Sequence, residues 1–278
     1  MKEVILDTLI DLLKIIPFLF IAFLIMEYLE HHVNKKRDKL INNKKIGPIL
    51  GSLLGIVPQC GFSVMATNLY GARVITIGTL LSVYLSTSDE MLPLLISNNA
   101  SLKLILTVLL IKVIVGMIFG YLLDLFYRKG KEKNKYSICE EEHCHCDENI
   151  FKSTLIHTLK ISLYILITTF LLNTLIYYLG EEVISNILLK NNFFGPFLSS
   201  LVGLIPNCSA SVIITELYLK GLITTGMLIG GLLTGAGIGL LVLFKVNKNK
   251  KDNIIVLTSL YLIGVLIGII IDLLKIII

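Results

Sequence analysis

Residues 55–63 read Gly55-Ile56-Val57-Pro58-Gln59-Cys60-Gly61-Phe62-Ser63, inside an apolar run. The pattern returns as Gly203-Leu204-Ile205-Pro206-Asn207-Cys208-Ser209-Ala210-Ser211. A proline, a carboxamide, a cysteine and small residues fit a lipid-facing span badly. At bilayer depth, irregular backbone is tolerated only where protein or a cavity surrounds it. Each stretch therefore reads as the tip of a hairpin made from a deliberately broken helix.

The rest of the chain suits that reading. Of its 278 residues, 55% are hydrophobic and 16% charged, against roughly 25% charged in soluble domains. Apolar blocks at 4–29, 46–70, 73–97, 102–127, 153–179, 194–218, 221–244 and 253–278 approach or exceed the ~20 residues that a spanning helix needs. The composition describes an all-α polytopic membrane protein. The first block is too long for a signal-peptide core and no small-residue cleavage site follows it, so a retained helix is expected. The net charge of +5 gathers in three loops. That is an orientation signal and gives no reason to expect a nucleic-acid partner. Of the five cysteines, two lie in the broken segments and three in one loop, which argues against a secreted disulfide framework. Hydrolase triads, Walker A loops and dinucleotide fingerprints are not found. Neither an enzyme nor an ATP-driven pump is expected, and no cofactor is required.

An offset of 148 superimposes the two halves. Sixteen of the 32 positions from 47 to 78 are identical to their shifted partners, among them Gly47, Pro48, Gly55, Pro58, Cys60, Ser63, Thr67, Tyr70 and Gly78. Further on, Gly116, Gly120 and Asp124 fall on Gly264, Gly268 and Asp272. Two apolar segments alike by chance would share Leu and Ile, and not Pro, Cys and Gly in register. Segments 1–127 and 153–278 form the two repeats, joined by a loop at 128–152.

Loop charge sets the topology. Lysine and arginine crowd loops 30–45, 128–152 and 245–252, while 98–101 is neutral and 180–193 holds Glu181, Glu182 and Lys190. The positive-inside rule places the first three in the cytoplasm of a multi-pass protein of the cell inner (plasma) membrane. Between 30–45 and 128–152 lie three apolar blocks, so one must return to the side it entered. The block 46–70 is cut by Pro58 into arms of ~11 residues, ~16 Å each, about half the hydrocarbon core. The same argument applies to 194–218. The expectation is two inverted-topology repeats, each with three full transmembrane helices plus a Pro-broken re-entrant hairpin, about ten membrane segments in all. Their tips would meet near the midplane.

Several residues could carry chemistry. At the tips, Pro58 and Pro206 free backbone carbonyls, Gln59, Asn207, Ser63 and Ser211 offer polar atoms, and Cys60 and Cys208 offer thiols for a soft ion. The bland alternative is that both thiols are small apolar fillers. Ser86-Thr87-Ser88-Asp89-Glu90 lies in the next block, and its repeat mate is Thr234-Gly235-Ala236-Gly237-Ile238. Both look like a second helix break. Carboxylates at depth mark an ion or proton path. Lys112 lies about ten residues into the following helix, and both the lysine and the carboxylates are missing from the second half. That suggests pairing of Lys112 with Asp89 or Glu90. Ser86, Thr87, Asn68 and its mate Glu216 join the candidate binding set, although Glu216 lies close enough to Tyr218 to be interfacial. Glu27 joins the coupling set, and Asp124 and Asp272 read as anchors. In the central loop, Cys139, His143, Cys144, His145 and Cys146 lie among carboxylates and could hold Zn, Mn or As(III). An inert polar linker is the plain alternative.

The residues Ile56 to Ser63, Asn68-Leu69-Tyr70, Gly78-Thr79-Leu80-Leu81 and Ser86 to Pro93 closely resemble the ten-transmembrane heavy-metal exporter family, whose members are labelled arsenic efflux proteins or manganese transporters. The resemblance covers nearly the whole chain, and the Pro-x-Cys-Gly tip is similar, more distantly, to the organoarsenical permeases. It implies a secondary exporter of a metal ion or metalloid (arsenic-type or Mn²⁺) that works by alternating access. Two other functions stay open on residues alone, a transporter of a small anion held by helix N-termini and a membrane-embedded metal sensor. A homodimer is left open too.

Overall fold

The structure, a computed structural model, describes residues 46–57, 60–88, 90–127, 150–179 and 194–275, with part of 9–24. Among the described residues, helical positions between 9 and 24 precede eleven further helices. These are α1 (Gly47–Gly55), α2 (Cys60–Gly71), α3 (Ile77–Ser86), α4 (Met91–Ser97), α5 (Leu102–Tyr127), α6 (Ile150–Leu179), α7 (Gly195–Gly203), α8 (Cys208–Leu219), α9 (Thr225–Thr234), α10 (Gly239–Val246) and α11 (Lys250–Leu273). No strand occurs among the described residues.

The breaks fall where the sequence puts them. Proline stands at the start of α1 and α7, where its missing N–H is not needed. Pro58 and Pro206 fall between α1 and α2 and between α7 and α8. The block 73–97 divides between Ser86 and Met91, and 221–244 divides between Thr234 and Gly239. Adding 148 to the starts of α1 to α5 gives the starts of α7 to α11.

At the centre lie α3 and α9, every residue of which is buried. Ten residues make ~15 Å of helix, half a hydrocarbon core. α1 and α5 pack on α3, and α7 and α11 pack on α9. The halves then interleave, since α2 lies along α10, α8 touches α4, and α3 touches α9 and α11. A separate apolar cluster joins Leu19 and Phe23 of the first block to Ile161 and Ile165 of α6, with Val64, Cys208, Ile238 and Val242.

Outward faces are apolar too. On α5, Leu102, Leu106, Leu110, Ile114, Ile118 and Leu122 form an exposed stripe, while Leu104, Val108, Lys112, Gly116 and Gly120 are buried. Both rows have the four-residue spacing of one helix face. Water would not tolerate the first row, but lipid does. The segments Leu102–Tyr127, Thr225–Val246 and Lys250–Leu273 are long and apolar enough to cross a membrane, the second of them including the break between α9 and α10.

Asp124 and Asp272 are anchors, as expected. Asp124 accepts from the Gly78 N–H (2.9 Å) and the Thr76 hydroxyl (2.6 Å) at the start of α3. Asp272 accepts from Gly226 N–H and Thr224 Oγ1, both at 2.8 Å, at the start of α9. Each carboxylate satisfies an orphan donor and faces the positive end of a half-helix. Asp124→Ala and Asp272→Ala should each cost about 1–2 kcal/mol, the size of a lost N-cap. The double variant should show their sum, because the two sets of bonds lie on different helix pairs. Thermal unfolding in detergent checks both.

Candidate functional site

The break between α7 and α8 is capped by its own side chains. Asn207 has extended backbone, and its Oδ1 accepts from Ser209 N–H (3.3 Å) and lies 3.4 Å from Ser209 Oγ. Ser211 Oγ donates to the Cys208 carbonyl at 2.8 Å. Pro206 is partly buried, and Cys208 is buried in the apolar cluster beside the first block and α6. After α1, Ile56 O accepts from Ser88 Oγ at 2.5 Å. This bond ties the end of α1 to the segment that follows α3.

Ser86, Thr87 and Ser88 are all buried. Ser86 Oγ shares its proton between Ser82 O (2.8 Å) and Val83 O (3.1 Å), and Thr87 Oγ1 donates to Val83 O at 2.7 Å. Their hydroxyls thus close the broken end of α3, and their lone pairs remain as acceptors. Glu90 stands before α4, partly buried.

A second polar group joins the halves, and nothing in the sequence singled it out. Tyr84 of α3 is fully buried and donates to Gly239 O, the first residue of α10, at 2.9 Å. Its hydroxyl also lies 2.5 Å from Thr67 Oγ1 of α2, which is bonded to Ser63 O at 2.6 Å and lies 3.2 Å from Gly239 O. A Cβ on Gly239 would stand 2.8 Å from the Ser63 Cβ and Oγ, so the helices touch as only glycine allows. A tyrosine in the middle of the apolar block 73–97, away from its ends, was the signal that could have found this group. Next to Thr67, Asn68 donates to Val64 O (2.9 Å), while its Oδ1 is buried with no hydrogen-bond partner among the described residues. Ser63, Thr67, Asn68 and Tyr84 thus put buried oxygens on α2 and α3.

The other candidates lie elsewhere. The Glu216 side chain is 46% exposed and pairs with Lys220 at 3.2 Å. Lys112 is fully enclosed, and its Nζ donates to the Leu232 carbonyl of α9 at 2.5 Å. Pro58, Gln59, the Cys60 side chain, Asp89, Glu27 and the loop set Cys139, His143, Cys144, His145 and Cys146 lie outside the described residues. Among the described residues no three His, Cys, Asp or Glu side chains gather as a metal site would require.

A helical chain with apolar outer faces, buried half-helices and a hydroxyl-lined interior is a multi-pass membrane protein. The model of the family described as "Putative, 10TM heavy-metal exporter" matches residues 1–183, and the chain belongs to that family. No curated protein and no solved structure matches it.

Proposed function

We propose that the chain is a secondary transporter that exports a heavy-metal ion or metalloid across the inner membrane by alternating access. The two halves are read as inverted repeats, with hairpins 46–70 and 194–218 entering from opposite faces. Loops 30–45, 128–152 and 245–252 lie in the cytoplasm. Asp89, Glu90, Glu27 and Lys112 serve ion coupling, and the Cys/His loop collects metal. The observation that carries the reading is the buried polar row Ser63, Thr67, Asn68, Tyr84, Ser86, Thr87 and Ser88 beside a broken central helix. An apolar core would omit these groups. A pathway needs them, because an ion leaving water must find replacement ligands.

The ligand atoms of that row are oxygens, and the Asn68 Oδ1 is an acceptor with no partner among the described residues. Cys208 sits instead among Leu19, Phe23, Val64 and Ile238. Oxygen ligands suit Mn²⁺, and thiols suit As(III). The observations favour the oxygen version. A deletion strain grown across a metal and metalloid panel, followed by liposome flux of the best hit, tests export itself. In that strain the Cys60→Ser, Cys208→Ser double variant is expected to keep Mn²⁺ tolerance at the wild-type level. If it instead abolishes arsenite resistance, the substrate site belongs to the thiols.

A further inference from the structure

The two central helices break at matched points, but their ends are closed by different chemistry. At the end of α3, side-chain hydroxyls and the Thr87 N–H take up the carbonyls, with Thr87 N donating to Val83 O at 2.9 Å. At the end of α9 the counterparts of Thr87 and Ser88 are Gly235 and Ala236, which bring no side-chain donor. Thr234 Oγ1 serves Gly231 O and Ser200 O, both at 2.9 Å. Ala236 N turns back to Thr234 O at 2.8 Å. The Leu232 carbonyl, counterpart of that of Tyr84, receives the Lys112 ammonium instead.

Other oxygens are close by. The point where a Gly235 Cβ would stand lies 3.6 Å from Leu232 O, 3.8 Å from Gly231 O and 4.0 Å from Gly203 O. Gly203 ends α7, and Gly231 and Leu232 belong to the last turn of α9, so the negative ends of two half-helices converge there. A buried cation persists only where fixed charge or dipoles compensate its lost hydration. Lys112 is 1% exposed, and its counterpart in the second half is the buried Leu260. Only one of the two breaks therefore receives a lysine from this position.

We propose that the carbonyl cluster at the end of α9 is a monovalent-cation site that the chain fills with its own side chain. Lys112 is a tethered cation, standing where a transporter with broken helices otherwise holds a free coupling ion. This deepens the coupling role given to Lys112 above, but its test does not require export. Removing the ammonium and leaving room should open the site to an alkali cation.

The test is thermal unfolding of the purified full chain in detergent, titrated with NaCl, KCl or LiCl against choline chloride at equal ionic strength. For Lys112→Ala, at least one alkali cation should give a saturating rise of about 5 °C over choline, the shift for a site filled at about a hundred times its dissociation constant. Wild type and the space-filling Lys112→Met should respond alike to all four salts. A second arm uses Gly235→Ser. Its backbone (φ −70, ψ 77) accepts a side chain, and the new hydroxyl stands at the Thr87 counterpart within reach of the carbonyls. It should raise the unfolding temperature of Lys112→Met by several degrees and leave wild type unchanged. If Lys112→Ala treats sodium, potassium, lithium and choline alike and Gly235→Ser does not rescue Lys112→Met, the proposal is overturned and Lys112 is a packing residue. Should Lys112→Ala fold in no salt, the Gly235→Ser rescue alone decides. Absence of flux in wild type, with these unfolding results as expected, would count against export and not against the cation site.

Discussion

Gly78→Ala should leave little or no folded protein, and Gly226→Ala should do the same. A Cβ at position 78 would fall on the Gly120 carbonyl oxygen and stand 2.5 Å from the Asp124 carboxyl carbon. At 226 it would fall on Gly268 O and stand 2.5 Å from Asp272 Oδ1. The obstructing atoms are backbone and an anchored carboxylate, so no side chain can swing aside. α3 must back away from α5, and in doing so it loses the Gly78 N–H bond to Asp124. Overpacking costs about 1–3 kcal/mol and a lost cap about 1–2 kcal/mol. Together they reach about 4 kcal/mol, much of the total stability that a folded chain commonly has. Size-exclusion profiles of detergent extracts give the readout, with Gly221→Ala as the comparison. Gly221 has open space around it and only a positive φ of 70° to lose, so its substitution should cost about 1–2 kcal/mol, the strain of a left-handed residue alone. A monodisperse peak from Gly78→Ala at the wild-type unfolding temperature would show that the helices are not held that closely.

Asp252→Ala is expected to lower the unfolding temperature by about 10 °C, and Asp252→Asn by clearly less. Asp252 is buried in the first turn of α11, yet its partners come from both halves. Tyr70 donates to Oδ2 at 2.9 Å, Asn249 Nδ2 donates to Oδ1 at 2.9 Å, and the Tyr127 hydroxyl makes a short bond to Oδ1. Arg73 Nη1 lies 3.6 Å from Oδ2 and is itself partly exposed, so it adds little. Arg73 is held at φ 60°, where its counterpart is Gly221 at φ 70°. Removing the carboxylate strands the buried Tyr70 hydroxyl and takes an acceptor from the partly exposed Tyr127. Such a loss costs about 3 kcal/mol, and each kcal/mol moves the midpoint of a chain this size by roughly 2–4 °C. Asparagine keeps an acceptor for one tyrosine. Equal unfolding temperatures for the alanine variant and wild type would show that the cluster does not join the halves.

The helix breaks were legible because their causes are local. Pro58, Pro206, the Ser86–Glu90 cluster and the glycines at 235 and 237 each disfavour helix where they stand. Repeat register then matched Asp124 with Asp272. What the sequence did not show was the joining of the halves. Tyr84 and Thr67 meet Gly239, Tyr70 meets Asp252, and Lys112 meets a carbonyl of Leu232. Hydropathy patterns describe the faces of one helix at a time, and a backbone carbonyl as acceptor leaves no mark in a sequence. Repeat register also grouped Asn68 with Glu216, although their settings differ. α2 lies closely along α10, which buries Asn68, while α8 meets the short α4 less extensively and leaves Glu216 near Lys220.

The interleaving also sets the order in which the molecule can be completed during synthesis. Thr67 and the Gly239 carbonyl are 172 positions apart. At ribosomal rates of about 5–20 residues per second, roughly ten to thirty seconds separate their emergence. Through that interval Ser63, Thr67 and Asn68 have been made, but the α10 surface they pack on has not. The first half is therefore a scaffold held open for a late-arriving strut, and the polar lining of the interior takes its final form only when the second half threads back into the first.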